Sequence, residues 1–502
     1  MKLLKEHDLF IFVLLLCAAL RLFPLFDYQF TYDELSGLTR TQFDSFSEVM
    51  EKGVKIDAHP AFVQLLIFYT VKIFGYKTWI VKLPFLLFSL GLVIYAYAFG
   101  YRNFSKQSGL IASLIFSFSL IFVFYAPIAR MYISGAFFSM ALLYYFFEIF
   151  FNKDLRISNF FLLGFFAWIS ALNQHINSLF AFTVCLSGLF MANNENRKKY
   201  LITCVLTVLA YLPHLPTTLY QLSVPGIGRD IGGWLEVPEI TVIFPFLKTL
   251  FGTGRTYALI MLLVVASIFV ARKFTFDKKR IFLLTIFLLN YLIIYSYSAL
   301  RAPVFQYSVM LFSSTAFIML ISSWISFDKK PMFLTAFVLL FVALVYKTYI
   351  KKDYLHECVE TVFEYQFERT IHYKNLYGDK NVFPIFCDAD ETAKMIYFGK
   401  YNTSFDCVVA SDSMISYMEA VKYKRRDSKT GKEAEVSTIR LFSEFVANLK
   451  CDYLVLTSAS PAYQAVASQY FPYLLENKQT QANNFKFYSK RQEDKDKVVA
   501  DD

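Results

Sequence analysis

No internal repeat, heptad series or low-complexity linker occurs in this sequence, which removes solenoid, coiled-coil and tethered-module architectures. Charge is also thin. Charged residues make up 18% of the 502 positions and hydrophobic residues 56%, where an ordinary soluble domain carries about 25% charged residues. Stretches of roughly 20 apolar residues, the length a helix needs to cross a bilayer core, recur from Leu9 to near Ile350 and then stop. No metal-binding cysteine spacing is present. Cys17, Cys185 and Cys204 lie inside apolar runs, while Cys358, Cys387, Cys407 and Cys451 follow them, with no pairing deducible. No small-residue cleavage site follows the first run. Arg21, Pro24 and Asp27-Tyr28 read instead as a first span ending at an interface.

What is present is a pattern of spans and basic loops. The net charge is +10, but Lys and Arg occur in short clusters between the apolar runs and form no stripe that would bind nucleic acid. Such clusters orient helices in a membrane. Eleven spans are predicted, near residues 9–26, 79–99, 107–126, 132–151, 158–175, 178–192, 199–219, 256–271, 281–298, 303–324 and 331–349. With the N-terminus in the cytoplasm, every inner loop is basic, whereas the first outer loop, residues 27–78, carries seven acidic side chains from Asp27 to Asp57. Within that loop the apolar stretch Ala61–Phe74 is too short to cross and is predicted to lie along the interface. An odd number of spans puts the C-terminal part on the outer side.

The expected fold class is therefore a mainly α polytopic membrane protein with a small C-terminal α/β domain. The membrane domain is expected over residues 1–350, with a second large outer loop at 220–255. The α/β domain is expected over 351–490, with β-like runs at Val382–Phe386 and Tyr453–Thr457, and a charged tail over 491–502.

Several outer-side residues could carry chemistry. Asp33-Glu34, just beyond the first span, could supply a general base to a lipid-borne substrate, while Thr31-Tyr32-Asp33-Glu34 equally spells a helix cap. Asp57-Ala58-His59-Pro60 opens the interfacial helix, where capping accounts for Asp57 and His59 could hold a phosphate or a metal. Arg130, before Tyr132 at the outer end of the third span, offers a fork of donors that matches phosphate oxygens, with snorkelling toward headgroups as its ordinary fate. His175, Trp234 in the second large loop, and Arg301 complete the outer-side set, each also readable as a cap or an aromatic-belt residue.

Taken in order, these positions resemble the GT-C class of membrane glycosyltransferases, in particular the protein O-mannosyltransferase and lipid A aminoarabinose transferase group. Asp33-Glu34 resembles the acidic pair of the first outer loop. Asp57-Ala58-His59-Pro60-Ala61-Phe62 resembles the segment opening the juxtamembrane helix, Ala129-Arg130-Met131-Tyr132 the bacterial Ala-Arg-Met-Tyr segment, and Trp234–Pro238 the outer-loop Trp and Pro motif. Lys82 stands where an Arg is usual, Ala61 replaces a second Pro, and Gln306-Tyr307 occupies the place of an Arg-Tyr, with Arg301 a possible substitute.

The resemblance implies a sugar donor on a polyprenyl phosphate, an acceptor hydroxyl on a protein, lipid A or an envelope polysaccharide, contact with membrane lipid, and no nucleic acid. It implies Asp33 as base with Glu34 beside it, and Arg130 and Lys82 on the phosphate. No cofactor is required; a divalent metal could be held by His59 or His175. A transporter or flippase is the alternative, disfavoured because the ionisable residues gather at one interface and not at mid-membrane. A bacterial cytoplasmic membrane is the expected location.

Overall fold

The computed structural model describes residues 2–57, 59–224, 237–251, 254–271, 276–350, 362–387, 394, 397–398, 401, 403–409, 442–457, 459, 461–479 and 484–494. The chain divides into two compact units, Met1–Val359 and Glu360–Asp502.

The first unit is helical. Its elements are α1 (Lys2–Leu22), α2 (Tyr32–Thr39), α3 (Phe46–Glu48, running into a π turn at Val49–Val54), α4 (Ala61–Phe74), α5 (Thr78–Asn103), α6 (Lys106–Phe118), α7 (Leu120–Tyr125), α8 (Met131–Phe150), α9 (Ile157–Asn173), α10 (His175–Met191), α11 (Arg197–Tyr211), α12 (Leu215–Ser223), α13 (Ile243–Leu250), α14 (Gly254–Ala271), α15 (Lys278–Leu300), α16 (Leu311–Trp324) and α17 (Lys330–Val345). Among the described helices, five are long and apolar enough to cross a membrane: His7–Phe26, Thr78–Asn103, Met131–Phe150, Arg197–Ser223 and Lys278–Leu300. Eleven crossings were expected, and the difference has local causes. The segments Ile157–Asn173, His175–Met191, Leu311–Trp324 and Lys330–Val345 are apolar helices of at most 17 residues, and the expected run 303–324 is helical only from Leu311.

The expected single span 107–126 is broken at Ser119, whose extended backbone separates α6 from α7. A break leaves the last carbonyls of α6 without helical partners, and lipid offers none. Protein groups supply them. Arg21, 1% exposed at the end of α1, donates from Nη2 to the carbonyls of Phe116 and Ser117 at 2.7 and 3.0 Å, and Thr348 donates to the carbonyl of Phe118 at 2.8 Å. A cation at a helix C-terminus also meets the negative end of its dipole.

α5 and α8 run in the same direction, so their N-termini share one end of the bundle and their C-termini the other. At the C-terminal end Glu148, 3% exposed, accepts from Arg102 and Asn152, while Lys279 donates to Asn103 and Asn152. That cluster ties α5, α8 and α15 together. α5 and α6 approach closely because glycine faces glycine: a Cβ on Gly100 would stand 2.6 Å from Gly109 Cα, and one on Gly109 2.7 Å from the Tyr97 carbonyl.

The second unit holds a five-stranded sheet in the order β2-β1-β3-β5-β4, made of β1 (Val382–Phe386), β2 (Val408–Val409), β3 (Tyr453–Thr457), β4 (Tyr473–Gln479) and β5 (Asn484–Ser489). β1 pairs in parallel with β2 and β3, and β5 pairs antiparallel with β3 and β4. The helix Val362–Tyr377 lies on one face, where Tyr373 stacks on Phe487 at 3.7 Å. Arg369, Tyr365 and Tyr373 from this helix all bond Glu476 on β4. On the other face Phe442, Val446, Val466 and Phe471 pack against Leu454 and Leu456.

Replacing Gly109 by Ala forces its methyl against the Tyr97 backbone, and overpacking of this kind costs about 1–3 kcal/mol. The thermal midpoint of the detergent-solubilised protein is expected to fall; an unchanged midpoint would contradict the α5–α6 contact.

Candidate active site

The adjacent acids at the start of α2 part company. Thr31, extended, is the N-cap; its hydroxyl accepts from the Glu34 backbone N–H, and Glu34 Oε2 accepts from the Thr31 N–H at 2.8 Å, forming a capping box. Glu34 is 1% exposed and its carboxylate is fully engaged. Lys82 Nζ reaches both its oxygens at 2.6 and 2.7 Å, and the Ala129 N–H donates to Oε1 at 2.7 Å. Asp33, one position earlier and so about 100° round the helix, is exposed. Its Oδ2 accepts from the Tyr132 hydroxyl at 2.7 Å. The cap thus falls to Glu34, while Asp33 is left exposed beside Tyr132.

This corrects two expectations. Lys82, expected on the phosphate, is wholly buried with Nζ on Glu34 and on the Pro127 carbonyl at 3.3 Å. Glu34 is likewise 1% exposed, with its oxygens held by Thr31, Lys82 and the Ala129 N–H and not turned toward an acceptor. Together they join α2, α5 and the segment entering α8.

Arg130, 6% exposed, is the N-cap of α8. Sequence offered it no nearby acid, but the fold does: Asp57 Oδ2 lies 4.0 Å from its Nη1 and 3.4 Å from Nη1 of Arg40. Its Nη1 also packs where a side chain on Gly37 would stand, 3.0 Å from a Cβ there, and Gln64 of α4 holds the Gly37 carbonyl at 2.9 Å. Arg130 Nε is buried with no partner. One donor of the fork is free although the site is closed around it.

His59 stands beside this group, with Nδ1 buried and unpartnered. Burial lowers its pKa from 6.5 to about 4; Asp57 and Asp33 oppose that shift, and Arg130 and His175 add to it. The imidazole is neutral at physiological pH. His175, first residue of α10, pairs through Nε2 with Gln221 Oε1 at 3.1 Å. Behind it Asn173 accepts from Ser134 and donates to the Met131 carbonyl, fixing the start of α8.

Asp33, Asp57, His59, Arg130, Tyr132 and His175 are therefore brought to one end of the bundle. The N-termini of α2, α4, α8 and α10 are there too, and each contributes a partial positive charge. Arg301, after α15, is exposed. Trp234 and Ala58 lie outside the described residues. Among the described residues no group of three or more His, Cys, Asp or Glu could hold a metal ion, and His175 Nε2 is engaged by Gln221. Arg40 and Gln221 went unread in the sequence, because their partners lie 17 and up to 167 positions away and neither belongs to a motif.

Comparison with known proteins follows the same outline. Residues 58–216 match a family model described as dolichyl-phosphate-mannose-protein mannosyltransferase. Among solved structures, ArnT from Cupriavidus metallidurans in the apo state is similar with a TM-score of 0.57 at 11% identity, covering 97% of this chain and 98% of that one. ArnT bound to undecaprenyl phosphate gives 0.55 at 11% identity, with 96% and 98% covered. The apo oligosaccharyltransferase of Archaeoglobus fulgidus gives 0.50 at 12% identity, with 96% of this chain and 74% of that one covered. No curated protein matches the sequence. At these identities the likeness establishes the fold, which this chain shares with ArnT.

Two outcomes test the geometry. Lys82→Met leaves Glu34 buried and unpaired and is expected to destabilise by about 3–5 kcal/mol, with part of the loss recovered on adding Glu34→Gln; thermal unfolding reads it. A variant of normal stability would put Lys82 elsewhere. For His59, the unfolded chain takes up a proton near pH 6.5 and the folded chain only near pH 4, so stability declines as pH falls from 6.5 toward 4. His59→Gln is expected to flatten that decline in midpoint-versus-pH curves.

Proposed function

We propose that this chain, folded as a GT-C-class membrane protein, is a glycosyltransferase. It moves a sugar from a polyprenyl-phosphate-linked donor to a hydroxyl of a protein, lipid A or envelope polysaccharide. The reaction takes place on the outer face of a bacterial cytoplasmic membrane, with the N-terminus cytoplasmic and the C-terminal domain extracytoplasmic. One observation carries this reading: an exposed carboxylate, Asp33, is oriented by Tyr132 at the same helix-bundle end as the buried guanidinium of Arg130, whose Nε is unpaired. The undecaprenyl phosphate in the ArnT complex supports a carrier lipid of that chemistry here.

In the proposed reaction the acceptor hydroxyl approaches Asp33, which takes its proton as the oxygen attacks the anomeric carbon. The bond from that carbon to the phosphate oxygen breaks, polyprenyl phosphate leaves, and the anomeric configuration inverts. Tyr132, donating to Oδ2, holds the carboxylate in one orientation and leaves it a pure acceptor. Negative charge grows on the phosphate as the bond breaks. Arg130 meets that charge with a donor already in place. Neutral His59 adds a hydrogen-bonding group with no charge of its own to compete with Asp33.

Asp33→Asn keeps the Tyr132 bond and the fold but cannot take the proton; turnover is expected to fall about 10²–10⁴-fold with lipid binding preserved. Release of label from a radiolabelled polyprenyl-linked sugar by the purified protein measures it, and near-normal release would reject the assignment. Arg130→Ala removes charge-assisted hydrogen bonds of about 1.5–3 kcal/mol and is expected to raise KM for the lipid donor roughly 10- to 100-fold. A change confined to the acceptor KM would move Arg130 off the phosphate.

A further inference from the structure

We propose that Gln221 is a positioning residue of this site, clamping the loop that carries Asp57 and thereby setting Arg130; the inference rests on the transferase reading above. Gln221 lies on α12, 162 residues beyond His59, and is 0% exposed. Its Nε2 donates to the Val54 carbonyl at 2.7 Å and to the His59 carbonyl at 2.8 Å. These two carbonyls flank Asp57, three residues before it and two after.

Because both partners on the nitrogen side are carbonyls, the amide can be oriented only one way. Its oxygen must face His175, and an amide oxygen only accepts. The 3.1 Å contact is then a donation from His175 Nε2–H, which leaves Nδ1 of a neutral His175 without a proton. One side chain therefore fixes the backbone on each side of Asp57 and the tautomer of His175. The neighbouring residue braces the same contact, since the ring of Tyr220 lies 5.1 Å under the ammonium of Lys55.

The consequence runs through Asp57. Its Oδ2 stands within ion-pair reach of both Arg40 and Arg130, so the position of this loop decides where the Arg130 fork points. The Asp57 N–H also bonds the Val54 carbonyl at 3.0 Å, so Gln221 shares that carbonyl with the residue it positions. Displacement by about 1 Å at a reacting centre can cost on the order of 10²-fold in rate. A residue that touches no substrate thus governs the alignment of the phosphate donor group.

The test uses the full-length protein in detergent with undecaprenyl phosphate as binding probe and a radiolabelled polyprenyl-linked sugar for turnover. Gln221→Ala and the isosteric Gln221→Glu, whose carboxylate cannot donate to the two carbonyls, are both expected to weaken undecaprenyl phosphate binding and kcat/KM by roughly 10- to 100-fold. The acceptor KM stays near that of wild type. His175→Ala leaves both loop bonds in place and is expected to lose less than either. Gln221→Glu keeps side-chain volume, so it reports on hydrogen bonding even where Gln221→Ala folds poorly. The proposal is overturned if Gln221→Glu binds and turns over like wild type, because its role is then packing. It is equally overturned if all losses track the thermal midpoint. A wild-type protein that binds no undecaprenyl phosphate and releases no label overturns the transferase reading, and this one with it.

Discussion

Everything at the end of the bundle that holds Asp33 and Arg130 hangs on a buried carboxylate. Glu34 is removed from water, and an ionised carboxylate survives there only if donors surround it. Four do so, from three places in the chain: Thr31 through its backbone N–H and its hydroxyl, Lys82 on α5, and the Ala129 N–H at the entrance to α8. Satisfying Glu34 therefore fixes α2 against α5 and α8. Asp33 then has no choice of direction; a helical step from a buried neighbour turns it outward, within reach of the Tyr132 hydroxyl on the very helix that Ala129 introduces.

The second layer is electrostatic. Arg40 and Arg130 share one carboxylate, Asp57, at 3.4 and 4.0 Å. Arg130 is the looser of the two pairs, is nearly wholly buried, and keeps an unpaired Nε. Buried donors that go unmade are costly in a folded chain, and an anion entering this end of the bundle would satisfy that donor. His59, held neutral by burial, and His175, engaged with Gln221, add polar groups without adding positive charge.

At the far end the bundle is tied by a different set of groups. Glu148, Arg102, Asn152, Asn103 and Lys279 link α5, α8 and α15, and Arg21 and Thr348 take up the carbonyls freed where α6 breaks at Ser119. In a low-dielectric surrounding these polar contacts are the places where helix ends and breaks can be tolerated. They keep α5 and α8 in parallel register, and that register brings Lys82 and Arg130 to the same end.

How much could be read beforehand follows from the range of the interactions involved. Apolar run length, loop charge and the two β-rich segments are local, so the sequence determined a helical membrane unit followed by a unit with strands at Val382–Phe386 and Tyr453–Thr457. Ordered short motifs likewise marked Asp33, Asp57, His59, Arg130 and Tyr132 as candidates. Tertiary structure alone decided which member of Asp33-Glu34 is exposed, because both fit a helix start and only the distant Lys82 and Ala129 choose between them. It also turned Lys82 from a presumed phosphate ligand into a structural partner, gave Arg130 the acid that its neighbours in sequence lack, and placed Gln221 against residues up to 167 positions earlier. Hydrogen bonds and ion pairs act over about 3–4 Å in space, and nothing in local composition or spacing encodes which remote segments will come that close.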